Sequence, residues 1–119
     1  MDALDQLIEQ EIMQAKDFLI IAATPGGPFK CGCGGPIVRP QDRWVTPYRI
    51  RRHAYGRLNV GSGSVGLAMS QLVHEGVLLV NERTLMVRLN PNFRRTKRFK
   101  QLIEEGRRFE RSRSRKTDS

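Results

Sequence analysis

Apolar side chains recur at three- and four-residue steps near the start of the chain: Leu4, Ile8, Ile12, Ala15, Leu19 and Ala22, with Leu7 and Phe18 beside them. This period predicts an amphipathic helix, opened by Asp2 and stopped by Thr24-Pro25-Gly26-Gly27-Pro28. The stripe is wide enough for two surfaces. It serves either as a core helix or as the seam of a homodimer. A second helical period follows Thr46-Pro47, a hydroxyl N-cap ahead of a proline at the first helical position. Ile50, Ala54 and Leu58 mark its inner side. Asn59-Val60-Gly61-Ser62-Gly63 is a turn. Val65, Ala68, Met69, Leu72 and Val73 then predict another helix, capped by Ser62 or Ser64 and closed by Gly76.

Beyond Gly76 the period changes. Val77–Val80 and Leu85–Leu89 are short apolar runs joined by the polar residues 81–84, which predicts a β-hairpin. Asn90-Pro91 ends the second run, because proline has no N–H to donate. Ile37-Val38 is a candidate third strand against the hairpin. Phe99, Leu102, Ile103 and Phe109 predict a last helix from Thr96 to Glu110. The arginine-serine tail has nothing apolar to bury, and residues 111–119 are expected to be disordered.

The segment 46–91 resembles the winged helix-turn-helix superfamily. The matching residues are Thr46-Pro47, Arg57-Leu58-Asn59-Val60, Ser62, the Val65–Leu72 stripe, Glu75-Gly76 and the hairpin closing on Leu89-Asn90-Pro91. The resemblance implies an α+β fold: a winged-helix core over 37–91 with an added N-terminal amphipathic helix and a C-terminal basic helix. One domain would then span 1–110. The Leu89-Asn90-Pro91 ending looks like that of some plasmid replication proteins. Val45-Thr46-Pro47, Arg57–Val60 and Ser62–Gly76 are similar to a winged-helix ribosomal protein family of the eukaryotic and archaeal small subunit.

Charge sharpens the picture. The net charge is +9 over 119 residues, and it is unevenly placed. Residues 1–38 carry −3, 39–57 carry +5, 58–93 are balanced, and 94–119 carry +7. Two basic blocks therefore flank a neutral centre, the pattern expected of a polyanion ligand. Duplex DNA in transcription or replication control is the favoured partner. RNA, or a polymerase or other protein docking on the neutral helix, are the alternatives.

Candidate phosphate contacts are Arg49, Arg51, Arg52 and Arg57 on the first helix of the motif, Arg83 at the hairpin tip, and Arg94, Arg95, Lys97 and Arg98 after it. Trp44, Tyr48 and Tyr55 lie among the first of these, where aromatics either pack or stack on unpaired bases. The second helix of the motif offers Ser64, Ser70, Gln71 and His74 outward. Gln71 suits adenine, and nothing there suits guanine.

Other chemistry is sparse. Cys31 and Cys33 could supply two zinc ligands, with His53 and His74 the remaining donors of the usual type. The commoner Cys-x-x-Cys spacing is missing. Two reduced thiols in a glycine-rich turn is the preferred reading, with redox sensing also open. No nucleophile set, phosphate loop or metalloprotease spacing occurs, so no enzyme is expected. No apolar run approaches the roughly 18 residues of a membrane helix. The N-terminus is acidic before it is apolar, the wrong order for a signal peptide. An intracellular protein is expected, of the cytoplasm or nucleoid, or of the nucleus in a eukaryotic or viral setting.

Overall fold

A computed structural model describes residues 3–31, 35–58 and 62–117, with side chains at all of these except 5, 8, 9, 11, 55–57 and 113–117. The fold is mixed α+β. Helices α1 (Ala3–Ala22), α2 (Pro47–Arg57) and α3 (Ser62–His74) precede strands β1 (Leu78–Val80) and β2 (Val87–Leu89). A 3-10 turn (Phe93–Arg95) then leads into helix α4 (Lys97–Thr117).

The core begins with α1. Its last turn is apolar on every side, and Phe18, Leu19, Ile20, Ile21, Ala22 and Ala23 are all buried. A helix end of this kind must be covered all round. Here α3, α2 and α4 all pack on it. The other end differs: Leu4, Leu7 and Met13 are exposed. Asp2, the expected cap, lies outside the described residues.

Two helix boundaries follow from local chemistry. Thr46 Oγ1 accepts a hydrogen bond from the Arg49 amide at 3.4 Å, and Pro47 occupies the first helical position of α2. At the other end of the motif Gly76 has φ 78°, a conformation open to glycine. That turn lets the Gly76 amide reach Val73 O at 3.1 Å and the Val77 amide reach Leu72 O at 2.9 Å. The pair of bonds satisfies carbonyls that the helix end would otherwise leave open. The cap of α3 would fall on residue 61, outside the described residues.

β1 and β2 pair antiparallel, with Leu78 opposite Leu89, Leu79 opposite Arg88 and Val80 opposite Val87. The third position in this sheet belongs to Val45, not to Ile37-Val38 as the sequence suggested. Val45 and Val87 exchange both backbone bonds, at 2.9 and 2.8 Å, on the side of β2 away from β1. Ile37 and Val38 are buried for another reason. Their backbone folds onto the 26–29 loop through Gly26 N to Val38 O and Ile37 N to Phe29 O.

The hairpin loop is also longer than four residues. It runs over 81–86 and closes with the Asn81 amide donating to Met86 O at 2.8 Å. Asn81 Oδ1 accepts from the amides of Arg83 and Thr84. The loop is completed by Leu85 at φ 60°, the left-handed region, where an L side chain costs about 1 kcal/mol.

α4 runs to Thr117, past Glu110, so the segment expected to be disordered is helical to that point. Arginine, lysine and glutamate propagate a helix that packing has already nucleated. Phe99 and Leu102 anchor α4 to the core. At Gly106 it comes so close that a Cβ would sit 3.0 Å from Pro28 Cγ and 3.1 Å from Ile21 Cγ2. Phe29, stacked 4.8 Å from Phe18, meets the edge of Phe109 at 5.9 Å.

Cys31 corrects a further expectation, since it is disulfide-bonded rather than a reduced thiol. The chain has two cysteines, and Cys33 lies outside the described residues. The setting is a tight reversal, with Lys30 bridging Pro36 and the Cys31 amide bonded to Gly35 O at 2.8 Å.

Candidate nucleic-acid interface

α3 turns Ser62, Gly63, Leu67, Ser70, Gln71 and His74 to solvent, and buries Val65, Ala68, Met69 and Leu72. Ser70, Gln71 and His74 are therefore accessible as the sequence suggested. Ser64 is half-buried and already engaged. The exposed face holds hydroxyl, amide and imidazole groups but no lysine or arginine.

The arginines of α2 are not equivalent. Ile50 and Ala54 fix the buried face, which leaves Tyr48, Arg49 and Arg52 exposed. Arg49 Nε donates to Ile37 O at 2.7 Å, so this side chain first serves to hold the 37–38 segment against α2. Arg51 is half-buried, and its Nε is buried without a hydrogen-bond partner among the described residues. Among the described side chains of α2, Arg52 is the free surface cation. The Arg57 side chain lies outside the described residues.

On the hairpin, Arg83 is exposed in the loop. Arg88 lies over the half-buried Trp44, 5.7 Å from the ring centroid, so Trp44 is a platform for a cation within the fold. After β2, Arg94, Arg95, Lys97 and Arg98 are all exposed. Asn90 sets their place: its Nδ2 donates to Gly76 O at 2.8 Å, which ties the segment to the C-terminal end of α3.

Consecutive residues of α1 brace the same region. Lys16 pairs with Glu75 just beyond α3, and Asp17 accepts from Arg98 on α4 at 2.7 Å. Arg98 is thus a tie between helices. Burial raises the Asp17 pKa above its ordinary 3.8, against the opposing pull of the Arg98 charge and with a smaller upward push from Glu105. A raised folded-state value means that the fold favours the protonated carboxyl. Asp17 then adds stability below 3.8 that is lost as pH rises through the raised value. Asp17→Asn should remove this dependence. In thermal melts across the acid range, the wild type should lose ground to the variant over that window, and the variant should be no less stable at neutral pH. A variant clearly less stable at neutral pH would show that the Arg98 bond outweighs burial.

One cluster of cations was not grouped by the sequence reading. Lys30, Arg94, Arg107 and Arg111 line a groove of about 710 Å³ between the 24–28 loop and α4, with Glu110 its one carboxylate among the described residues. Arg94 lies 5.9 Å over the Phe99 ring, and Arg107 is held by Glu104 Oε1 at 2.7 Å. The sequence signal was the spacing of Arg107 and Arg111, four apart and so on one helical face. Lys30 and Arg94 arrive from distant elements and left no such signal.

For metal, no group of three or more His, Cys, Asp or Glu side chains is close enough among the described residues. A disulfide sulfur is also not the thiolate that binds zinc. No described helix is long and apolar enough to cross a membrane. In comparison with known proteins, the chain matches no family model, no curated protein and no solved structure.

Proposed function

We propose that the chain is a non-enzymatic nucleic-acid-binding protein with a winged-helix core, and that its ligand is duplex DNA in transcription or replication control. Support for the core comes from connectivity. Three helices lead into a hairpin, and Val45 adds a third position beside β2. In that reading α3 enters the major groove and the 81–86 loop is the wing.

The observation that carries the function is the division of exposed cations between α3 and the elements that flank it in the chain. The elements before and after it present Arg52, Arg83, Arg94, Arg95 and Lys97, while its own exposed face has none. Phosphate contacts then supply affinity and register, and Ser70 and Gln71 supply what base reading there is. Sequence preference should be modest.

Fluorescence anisotropy with duplex DNA, duplex RNA and single strands, each across a salt series, tests this. Tightest binding to duplex DNA with a steep salt dependence is expected. Tighter binding to RNA would move the protein to the RNA class. No binding to any polyanion at low salt would end the proposal.

A further inference from the structure

Leu85 has features that its place in the hairpin does not require. It is 67% exposed, the most open of the large apolar side chains among the described residues. It is also the only described non-glycine residue with positive φ. Glycine or asparagine is the ordinary occupant of such a position. Burial cannot explain leucine there, and local backbone preference opposes it.

The loop nevertheless holds this conformation firmly. The Leu85 amide donates to Asn81 O at 2.7 Å, and the Asn81 amide donates back across the loop to Met86 O. Asn81 Oδ1 takes two further amides, and Thr84 Oγ1 takes that of Met86. A bulky apolar side chain is thus presented at a fixed point, in a backbone state that is tolerated only because its surroundings over-determine it.

The neighbouring charges narrow what it meets. Glu82 and Arg83 are both exposed beside it, so the tip carries no net charge and Arg83 can give one phosphate contact but little general attraction for a phosphate chain. If the tip engages nucleic acid, the leucine must supply the reason. Apolar side chains do this by entering between adjacent base pairs and opening the step.

We propose that Leu85 is a wedge that inserts into a base step of the bound duplex, with Arg83 on the adjoining phosphate. This rests on the nucleic-acid reading above. It adds a point of local DNA distortion, and a preference for steps that unstack easily, which the neutral face of α3 would not give.

The experiment uses the full chain and duplexes carrying 2-aminopurine at successive positions. Wild type should raise the fluorescence at one step. Leu85→Gly and Leu85→Asn should abolish that rise and weaken duplex binding about tenfold, the scale of leaving one leucine side chain unburied. Both should keep the wild-type salt dependence, because no charge is lost. Their melting temperatures should equal or exceed the wild type, which separates loss of binding from loss of fold. Leu85→Met should retain the signal.

Wild-type affinity and fluorescence in Leu85→Gly would overturn the wedge while leaving DNA binding intact. Failure of the wild type to bind any polyanion would overturn both. A wild type that binds but unstacks no step would place Leu85 against something other than bases and sink the proposal.

Discussion

Leu19→Ala is expected to destabilise the protein by about 3 kcal/mol, and Leu7→Ala by less than about 0.5 kcal/mol in a monomer. The two leucines lie on one helix and carry the same side chain, but Leu19 is fully buried while Leu7 is 57% exposed. Truncating Leu19 removes apolar atoms from the core and leaves a cavity on the helix against which α3, α2 and α4 all pack. Truncating Leu7 removes a side chain that already meets solvent. Urea denaturation at several protein concentrations would measure both. If the Leu7 variant loses more than 1 kcal/mol and the loss depends on concentration, Leu4, Leu7 and Met13 form the seam of a dimer, and α1 is both core helix and interface.

That contrast marks how far the chain could be read directly. The hydrophobic period of α1 was plain, and the unbroken apolar run of residues 18–22 marked the end to be buried, but nothing in it told what would cover that end. Burial depends on which elements arrive later in the chain. Boundaries set by neighbours in sequence were legible. Thr46 caps α2 through an amide three residues away, and Gly76 closes α3 through carbonyls three and four residues back. The hairpin was legible too, since two apolar runs joined by a polar turn have few other solutions. Its loop was not, because leucine at φ 60° contradicts the preference from which sequence reasoning starts.

Long-range pairings were the least visible. Val45 beats Ile37-Val38 to the edge of β2 through two hydrogen bonds that no local pattern encodes. Arg98 finds Asp17, 81 residues away. For the same reason the cations could be listed from the sequence but not sorted. Arg51 and Arg52 are adjacent, yet one faces the fold and the other faces water. Their difference was recoverable in principle, because Ile50 and Ala54 fix the phase of the helix. The roles of Arg49 and Arg98 were not, because their partners lie on other elements.

This sorting leads to the largest expected effect on binding. Arg52, Arg83, Arg94, Arg95, Lys97 and Arg111 are exposed. None of them makes an ion pair among the described residues. If all of them meet phosphates, affinity for duplex DNA should fall about 1,000-fold between roughly 50 and 200 mM salt, through release of condensed counterions. Arg52→Gln with Arg83→Gln should lower the slope of log affinity against log salt by about 2, and Arg94→Gln with Arg95→Gln should do the same. Arg98→Gln is the informative control. It removes one charge from the same region, but one already engaged by Asp17, so it should alter the slope by much less than the roughly 1 expected of a free phosphate contact. Gln71→Ala should change preference among sequences while leaving the slope alone. If neither double variant shifts the slope, the cations on the elements before and after α3 are not the phosphate contacts. The groove of Lys30, Arg94, Arg107 and Arg111 would then be the place to look, since only Arg94 of that set was replaced. A wild-type slope near zero would rule out a phosphate chain as the ligand of either surface.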